Sequence, residues 1–313
     1  MAFEVTTDAA EQTDAAEQAD ASEQTARAAL DILRFSFVHY TYPGASQPAL
    51  NGLSLGVPAG KKCVLLGHNG CGKSTMFLHA NGIFRPNLGQ VLWKGKAVSY
   101  DRAHLLKLKQ KIGLVFQDPE QQLIAATVAE DISYGLCNQK LPEDVVREKV
   151  YRTMETFGMT EWAETPIHRL SLGQKRRVAL AGVMVLEPEL LLLDEPTAYL
   201  DQEQTRNFVQ ELDRIHAAGT TILMATHDID LAFAWADWVL VMEKGKLALE
   251  GEPEAVFSRR DTLERLQLRT PAVFDVWEAL PAALREEIGS SRVPRSVEEL
   301  TAGLRRIAAS CIT

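Results

Sequence analysis

A chain of 313 residues with a 46% hydrophobic fraction can bury a sizeable core, as one large domain or two. Its formal net charge of −9 argues against a dedicated nucleic-acid binder, which would need a basic stripe for phosphate contacts. No apolar run is long enough to cross a bilayer and the N-terminus lacks a signal-peptide pattern, so a cytosolic chain is expected. The four cysteines, Cys63, Cys71, Cys137 and Cys311, lack the paired spacing of zinc ligands and read as reduced thiols.

Residues 1–28 carry an acidic quasi-repeat: Asp8, Asp14 and Asp20 keep step with Glu11, Glu17 and Glu23, and nothing larger than Ala recurs among the apolar residues. Such a segment cannot bury enough surface to offset its ordering entropy, so a solvated, disordered tail is expected, with a functional acidic arm as the alternative. The alternation over Leu30–Phe37 predicts a strand, Pro43-Gly44 a turn, and Leu53–Val57 a second strand. From spacing, Tyr42 reads as a half-buried strand aromatic; stacking on a flat base is the other use of such a ring.

Lys62–Leu66 reads as a buried strand and runs into Gly67, His68, Asn69, Gly70, Cys71, Gly72, Lys73, Ser74 and Thr75, the P-loop spacing of Gly, four residues, Gly-Lys-Ser. Glycines let backbone N–H groups turn inward around an anion, the following helix start adds its dipole, Lys73 adds a point charge, and Ser74 offers a hydroxyl to Mg2+. Gln90–Trp93 and Ala97–Ser99 suggest a hairpin around Lys94-Gly95-Lys96, and Ile112–Phe116 another buried strand, ending in Gln117. A polar side chain at a strand's C-terminal end lies where α/β sheets bind ligands, although a surface glutamine at a strand exit reads the same way.

Residues 118 to about 170 show helical signals and no strand signal, which predicts an inserted helical subdomain. The signals are Asp118-Pro119-Glu120 as a start, the spacing of Val128, Ile132 and Leu136, and a polar helix over Glu143–Phe157. The segment ends at Leu170-Ser171-Leu172-Gly173-Gln174, where Ser171 can cap a helix whose first N–H groups face an anion. The four-leucine run Leu190–Leu193 reads as a strand covered on both faces, ending in Asp194 and Glu195 before Pro196. Neighbouring strand residues point to opposite faces, so the two carboxylates are expected to do different jobs, one at a Mg2+ shell and one at an attacking water.

A helix over Glu203–Ala217 and a stop at Gly219 lead to the strand Thr221–Ala225, which ends in Thr226-His227-Asp228. His227 thus falls in register with Lys73 and Glu195, which favours a phosphate-sensing role. Val239–Met242 and Lys246–Leu249 form a further hairpin around Lys244-Gly245. Beyond Thr270-Pro271, Val273, Val276, Trp277 and Leu280 recur at helical spacing, Pro281 interrupts, and Leu284 and Ile288 continue the stripe. Ser296 and Glu299 form a capping-box pair before Leu300, Leu304 and Ile307. The stripe needs a partner surface, and the parent domain and a second copy both remain open.

Taken in order, these motifs resemble the ATPase subunits of ABC transporters over roughly residues 29–260. Gly67–Thr75 matches Walker A, Gln117 the Q-loop, Ser171–Gln174 the signature, Leu190–Glu195 Walker B, Asp201 the D-loop and His227 the H-loop, and Tyr42 falls at the adenine-stacking aromatic. The stretch after Gln117 and the C-terminal helices are similar to the energy-coupling-factor group, nearest to its cobalt-transport ATPases. The resemblance implies an α/β P-loop NTPase with a RecA-like core, an antiparallel β subdomain and a helical subdomain at about 118–185 within a nucleotide-binding domain of residues 29–258. A helical C-terminal extension, residues 259–313, follows as a candidate dimerisation element.

The resemblance also implies ATP and Mg2+ as cofactors and ATP hydrolysis in a head-to-tail pair of subunits, a homodimer favoured. Each nucleotide would be held by Walker A of one subunit and by Ser171, Gly173 and Gln174 of the other. Glu195 would be the general base, His227 would contact the γ-phosphate, Asp201 would link the sites, and Ser74, Gln117 and Asp194 would define the Mg2+ shell. Asp118–Gln122 would help grip a transmembrane coupling protein, itself joined to a substrate-binding membrane protein, at the cytoplasmic face of a bacterial inner membrane. Leu172, where the family usually has glycine, departs from the pattern; with Ser171 and Gly173 intact, activity is expected to survive, slowed, and Tyr199 stands where a small residue is commoner. The alternatives are a nickel or vitamin importer of the same group and a soluble ABC ATPase acting on nucleic acid or ribosomes. The second usually carries two nucleotide domains or a coiled-coil insertion, and this chain has neither.

Overall fold

The computed structural model describes residues 30–288 and 292–310. The acidic quasi-repeat and Cys311 lie outside the described residues. In chain order the first elements are β1 (Asp31–Tyr40), β2 (Leu50–Pro58), β3 (Lys62–Leu66), α1 (Lys73–Ala80), β4 (Leu88–Trp93), β5 (Lys96–Ala97), α2 (Arg102–Lys111) and β6 (Ile112–Val115). Next come α3 (Val128–Cys137), α4 (Glu143–Thr156), α5 (Leu172–Met184), β7 (Leu190–Asp194), α6 (Gln202–Ala217), β8 (Thr221–Ala225), α7 (Ile229–Trp235), β9 (Trp238–Glu243) and β10 (Lys246–Gly251). The described chain finishes with α8 (Pro253–Phe257), α9 (Arg260–Arg265), α10 (Ala272–Ala279), α11 (Ala282–Ile288) and α12 (Val297–Ser310).

Two sheets carry the fold. An antiparallel sheet runs β2-β1-β4-β5, and a six-stranded sheet runs β10-β9-β3-β8-β7-β6, parallel except for the β9–β10 hairpin. This is the expected α/β architecture. The central strands read as unbroken apolar runs because both faces are covered. Val64, Leu66, Leu191, Leu193, Ile222 and Met224 face a core shared with the helical segment and the C-terminal helices. Their neighbours Cys63, Leu65, Leu190, Leu192 and Leu223 face a second core under the antiparallel sheet. Each fully buried leucine contributes about 1.5–3 kcal/mol, so these strands anchor the loops at their C-terminal ends.

Several boundaries differ from the sequence reading for identifiable reasons. β1 runs to Tyr40 because a bulge at Phe37, whose φ is 48°, shifts the alternation and returns Val38 to the core. Phe37 and Leu30 are exposed instead of lining the strand's buried face. The hairpin arm expected over Ala97–Ser99 is only Lys96–Ala97, since Ser99 turns to bond Asp101, which caps α2 through Ala103 and His104. Helix α2 itself has no apolar stripe; Leu108 is its one buried residue. Asp118-Pro119-Glu120 starts a single 3-10 turn, Pro119–Gln121, and α3 begins later, under a Thr127–Glu130 capping box.

The C-terminal stripe packs on its parent domain. Val273, Phe274, Trp277, Ile288 and Leu300 are buried in the core that contains Phe233 and Phe257. Phe274, edge-on to Phe233 at 5.7 Å, takes the inward place that the helical spacing assigned to Val276, which is exposed. The Ser296–Glu299 capping box is half formed: the Ser296 hydroxyl accepts from Glu299 N, while the Glu299 carboxylate accepts from Arg295 N.

Candidate nucleotide site

The P-loop connects β3 to α1, and β3 lies between β8 and β9. The C-terminal ends of β3, β7 and β8 therefore converge on one cleft of about 660 Å3. It is lined by Tyr42, His68, Asn69, Gly70, Gly72, Lys73, Ser74, Thr75, Gln117, Asp194, Glu195 and His227, together with Ala49, Ala198 and Tyr199. Gly67 and Cys71 form the underside of the loop. A Cβ on Gly67, whose φ is 148°, would stand 2.4 Å from Met242 O and 2.7 Å from the buried Cys71 Sγ. Gly72, with φ 109°, is equally constrained by Ala49 O at 2.6 Å.

Lys73 is buried, and its Nζ donates to Gly67 O at 2.6 Å and lies 3.4 Å from His68 O. Its nearest carboxylate oxygen is Glu195 Oε1 at 3.9 Å, an ion-pair distance too long for a hydrogen bond. Ser74 donates to Asp194, whose carboxyl is pushed above the usual carboxylate range by burial, against the opposing effects of the Ser74 hydroxyl and the Lys73 charge. The buried Asp194 carboxylate and the Ser74 hydroxyl are the kind of oxygen donors that would hold a hard divalent cation here.

Asp194 and Glu195 enter the same cleft, contrary to the expectation of opposite faces. The reason is the backbone: Glu195 has φ 46°, which leaves the pleat and swings its side chain round although its N–H still bonds Ala225 O at 3.0 Å. A left-handed non-glycine residue costs roughly 1–3 kcal/mol, and such strain gathers at functional sites. Glu195 Oε2 bonds His227 Nδ1 at 2.8 Å, while Oε1 is buried without a hydrogen-bond partner. An acceptor oriented at one oxygen and unsatisfied at the other fits a group that takes a proton from a bound water. With Nδ1 engaged, Nε2 is the imidazole nitrogen left to meet a ligand.

Tyr42 stands at the rim, exposed rather than half-buried, its hydroxyl 3.0 Å from Thr75 Oγ1 and its ring held edge-on by Tyr40 at 5.2 Å and Phe84 at 5.7 Å. Behind it, buried His79 bonds Thr75 O at 2.8 Å, and burial lowers its pKa, so it is a neutral packing ring. Tyr40, His79 and Phe84 were not singled out from the sequence; the alternation Tyr40–Tyr42 was the available signal.

Ser171, Gly173 and Gln174 lie outside this cleft. They line a separate one of about 390 Å3 with Leu200 and Gln204. Ser171 caps α5 as expected, but the first-turn donors are not all free. Ser171 Oγ accepts from Gln174 N at 3.3 Å, and Gln174 Oε1 accepts from Ser171 N at 2.8 Å. Asp201 caps α6, accepting from Gln204 N at 2.7 Å, and lines neither cleft. Leu172 is half-exposed, and Tyr199, at φ 63°, is 85% exposed on the nucleotide cleft. Arg176, which the sequence reading left without a role, is buried and joins the two regions, donating to Pro196 O and, at 3.5 Å, to Gln117 O.

The family model described as ABC transporter matches residues 50–198. A putative ABC transporter ATP-binding protein of Nostoc sp. is 54% identical over 82% of this chain and 93% of its own length. The energy-coupling factor transporter ATP-binding protein EcfA3 of Clostridium perfringens is 40% identical over 80% of this chain and 87% of its own. Among solved structures, cbiO1 of Clostridium perfringens, described as part of the ABC transporter complex cbiONQ, superposes with a TM-score of 0.68. It is 40% identical and covers 79% of this chain and 99% of its own. The cleft, its motifs and these similarities place the chain in the ABC transporter ATPases, as an ATP-hydrolysing motor subunit of the energy-coupling-factor type.

Proposed function

We propose that this subunit binds Mg-ATP between its P-loop and the signature surface of a second copy, and that closure and reopening of the pair drive transmembrane partners that import cobalt ions. The observation that carries the reading is the division of the site. Lys73, Asp194 and Glu195 share one cleft, whereas Ser171, Gly173 and Gln174 present a different surface. A neighbouring subunit arranged head to tail would bring the missing half, with Asp201 and the exposed Tyr199 at the seam.

In this reading the P-loop backbone N–H groups other than that of Cys71, which bonds His68 O, and Lys73 Nζ hold the phosphates, and the Tyr42 ring packs on the adenine. Ser74, Gln117 and Asp194 would hold the Mg2+ shell, and the ion would neutralise charge on the phosphate oxygens. Glu195 Oε1 takes a proton from the attacking water as its oxygen bonds the γ-phosphorus and the bond to the leaving ADP oxygen breaks. His227 keeps Glu195 oriented by donating Nδ1–H to it, and its contact with the γ-phosphate requires a second ring proton, on Nε2, as the donor. Such chemistry rests on positioning and charge stabilisation more than on covalent steps.

No helix of the described residues is long and apolar enough to cross a membrane; in this reading the subunit sits at the cytoplasmic face through its membrane partners. Asp118–Gln122, with Ile124 63% exposed beside it, supplies a surface for a helix of the coupling protein. The cobalt assignment rests on the resemblance to cobalt-transport ATPases; nickel or a vitamin is the alternative cargo. Affinity purification of the tagged chain from detergent-solubilised membranes tests the reading. Co-purification of polytopic membrane proteins that support ATP-dependent uptake of labelled cobalt is expected. Recovery only from the soluble fraction, together with ribosomes, would overturn it.

A further inference from the structure

The C-terminal extension reaches the nucleotide cleft by two tethers. The first joins the P-loop: His68 Nε2 lies 2.8 Å from Leu266 O. A carbonyl only accepts, so the ring carries its proton on Nε2 and donates it. Leu266 is the C-cap of α9, where Gln267 turns left-handed at φ 54° and Leu268 N bonds Leu263 O at 2.8 Å. That helix closure leaves the Leu266 carbonyl for His68. Leu263 and Leu266 are both buried, so the acceptor is fixed in the core.

The second tether joins the helix after His227. Asp230, on the first turn of α7, accepts from Arg269 Nη2 at 2.6 Å and from Ala272 N at 2.8 Å. Helix α7 is tied in turn to the His227 loop by its cap, Asp228, which accepts from Leu231 N at 3.0 Å. Residues 266–272 therefore span from the P-loop, which leads into Lys73, to the helix that follows the His227 loop. Phe274, packed on Phe233, anchors the far end.

We infer that Leu266–Ala272 is a strap that sets the P-loop against the His227 loop, with His68 and Asp230 as positioning residues for hydrolysis. The sheet fixes the ends of β3 and β8 through their parallel ladder. Beyond the ladder, the P-loop is held by Gly245 N, which donates to Cys71 O at 2.9 Å, and His227 by Glu195 at 2.8 Å, and the strap adds a tie between the P-loop and the helix after His227. A phosphate held between Lys73 and His227 depends on the distance between those loops, and misplacement of about 1 Å costs on the order of a hundredfold in rate. Phosphate affinity depends mainly on the P-loop backbone, which needs no His68 side chain. The strap therefore acts on turnover more than on binding, and it transmits any displacement of the extension to the cleft.

This inference rests on the hydrolytic reading above, and one set of variants separates the two. In His68→Phe, which keeps a ring and loses the donor, kcat is expected to fall about three- to tenfold with little change in KM for ATP, the effect of one hydrogen bond. His68→Gln, whose amide donor reaches near the Nε2 position, should restore most of the loss. Asp230→Ala should give a loss of similar size, and the double variant should lose no more than the worse single, because both substitutions release one strap. Unchanged kcat in both single variants, additive losses, or a lowered melting temperature that His68→Gln does not rescue would overturn the strap. Absence of hydrolysis in the wild-type subunit with its partners would instead refute the hydrolytic reading.

Discussion

Replacing Glu195 by Gln isolates the proton acceptor while leaving its frame in place. The side chain keeps its length, its contact with His227 Nδ1 and a backbone at φ 46° that Gln adopts as readily as Glu. The charge on Oε1, the oxygen without a hydrogen-bond partner, is what disappears. Loss of a positioned general base lowers rates about 100- to 10,000-fold, equivalent to about 3–5 kcal/mol in the barrier. Lys73 loses an ion-pair partner only at 3.9 Å while its bond to Gly67 O at 2.6 Å persists, so the phosphate-binding charge stays in place. Phosphate release at saturating ATP should fall by that factor, and a fluorescent ATP analogue should bind with affinity within about threefold of wild type, a change of under 1 kcal/mol. Turnover within tenfold of wild type would refute the assignment of the base, and parallel loss of binding and turnover would refute the separation of roles.

Tyr42→Ala should weaken ATP binding by about 1–3 kcal/mol, the range for stacking of a base on an aromatic ring, whereas Tyr42→Phe should leave it near wild type; equilibrium titration checks both. Burial raises the thiol pKa of Cys71 and, more strongly, of Cys63. A raised pKa keeps the thiol protonated and unreactive as pH rises past the ordinary value, so at pH 8 iodoacetamide should label exposed Cys137 before either buried cysteine, as read by peptide mass mapping. Arg176→Met should cost about 1.5–3 kcal/mol in urea unfolding, because it removes hydrogen bonds from a charged donor and leaves the carbonyls of Pro196 and Gln117 without it.

The features legible in the sequence were those carried by local pattern. The runs at Lys62–Leu66 and Leu190–Leu193 announced strands buried on both faces, and the P-loop spacing announced the turn between β3 and α1. Ser171 as a helix cap was equally local. What escaped depends on backbone dihedrals or on distant contacts. The turn at Glu195 that puts it beside Asp194 is a φ value with no compositional mark, and the bulge at Phe37 is another. Helix α2 escaped because one buried leucine makes no stripe. Val276 was favoured over Phe274 because the helical spacing alone did not show which side Phe233 would occupy. His68 and Leu266 are 198 residues apart, and no local signal relates them.

The central claim is that the site is shared between two subunits, and inter-subunit cross-linking tests it most directly. In a background lacking Cys137 and Cys311 and carrying Glu195→Gln, one chain receives Asn69→Cys at the P-loop rim and the other Ser171→Cys at the cap of α5. In the single chain Asn69 and Ser171 line separate clefts, so a bond between them reports the neighbour. The account predicts an oxidised heterodimer that accumulates with ATP and Mg2+ and is absent when Lys73→Ala prevents nucleotide binding. Nucleotide-bound chains that form no such cross-link would contradict it.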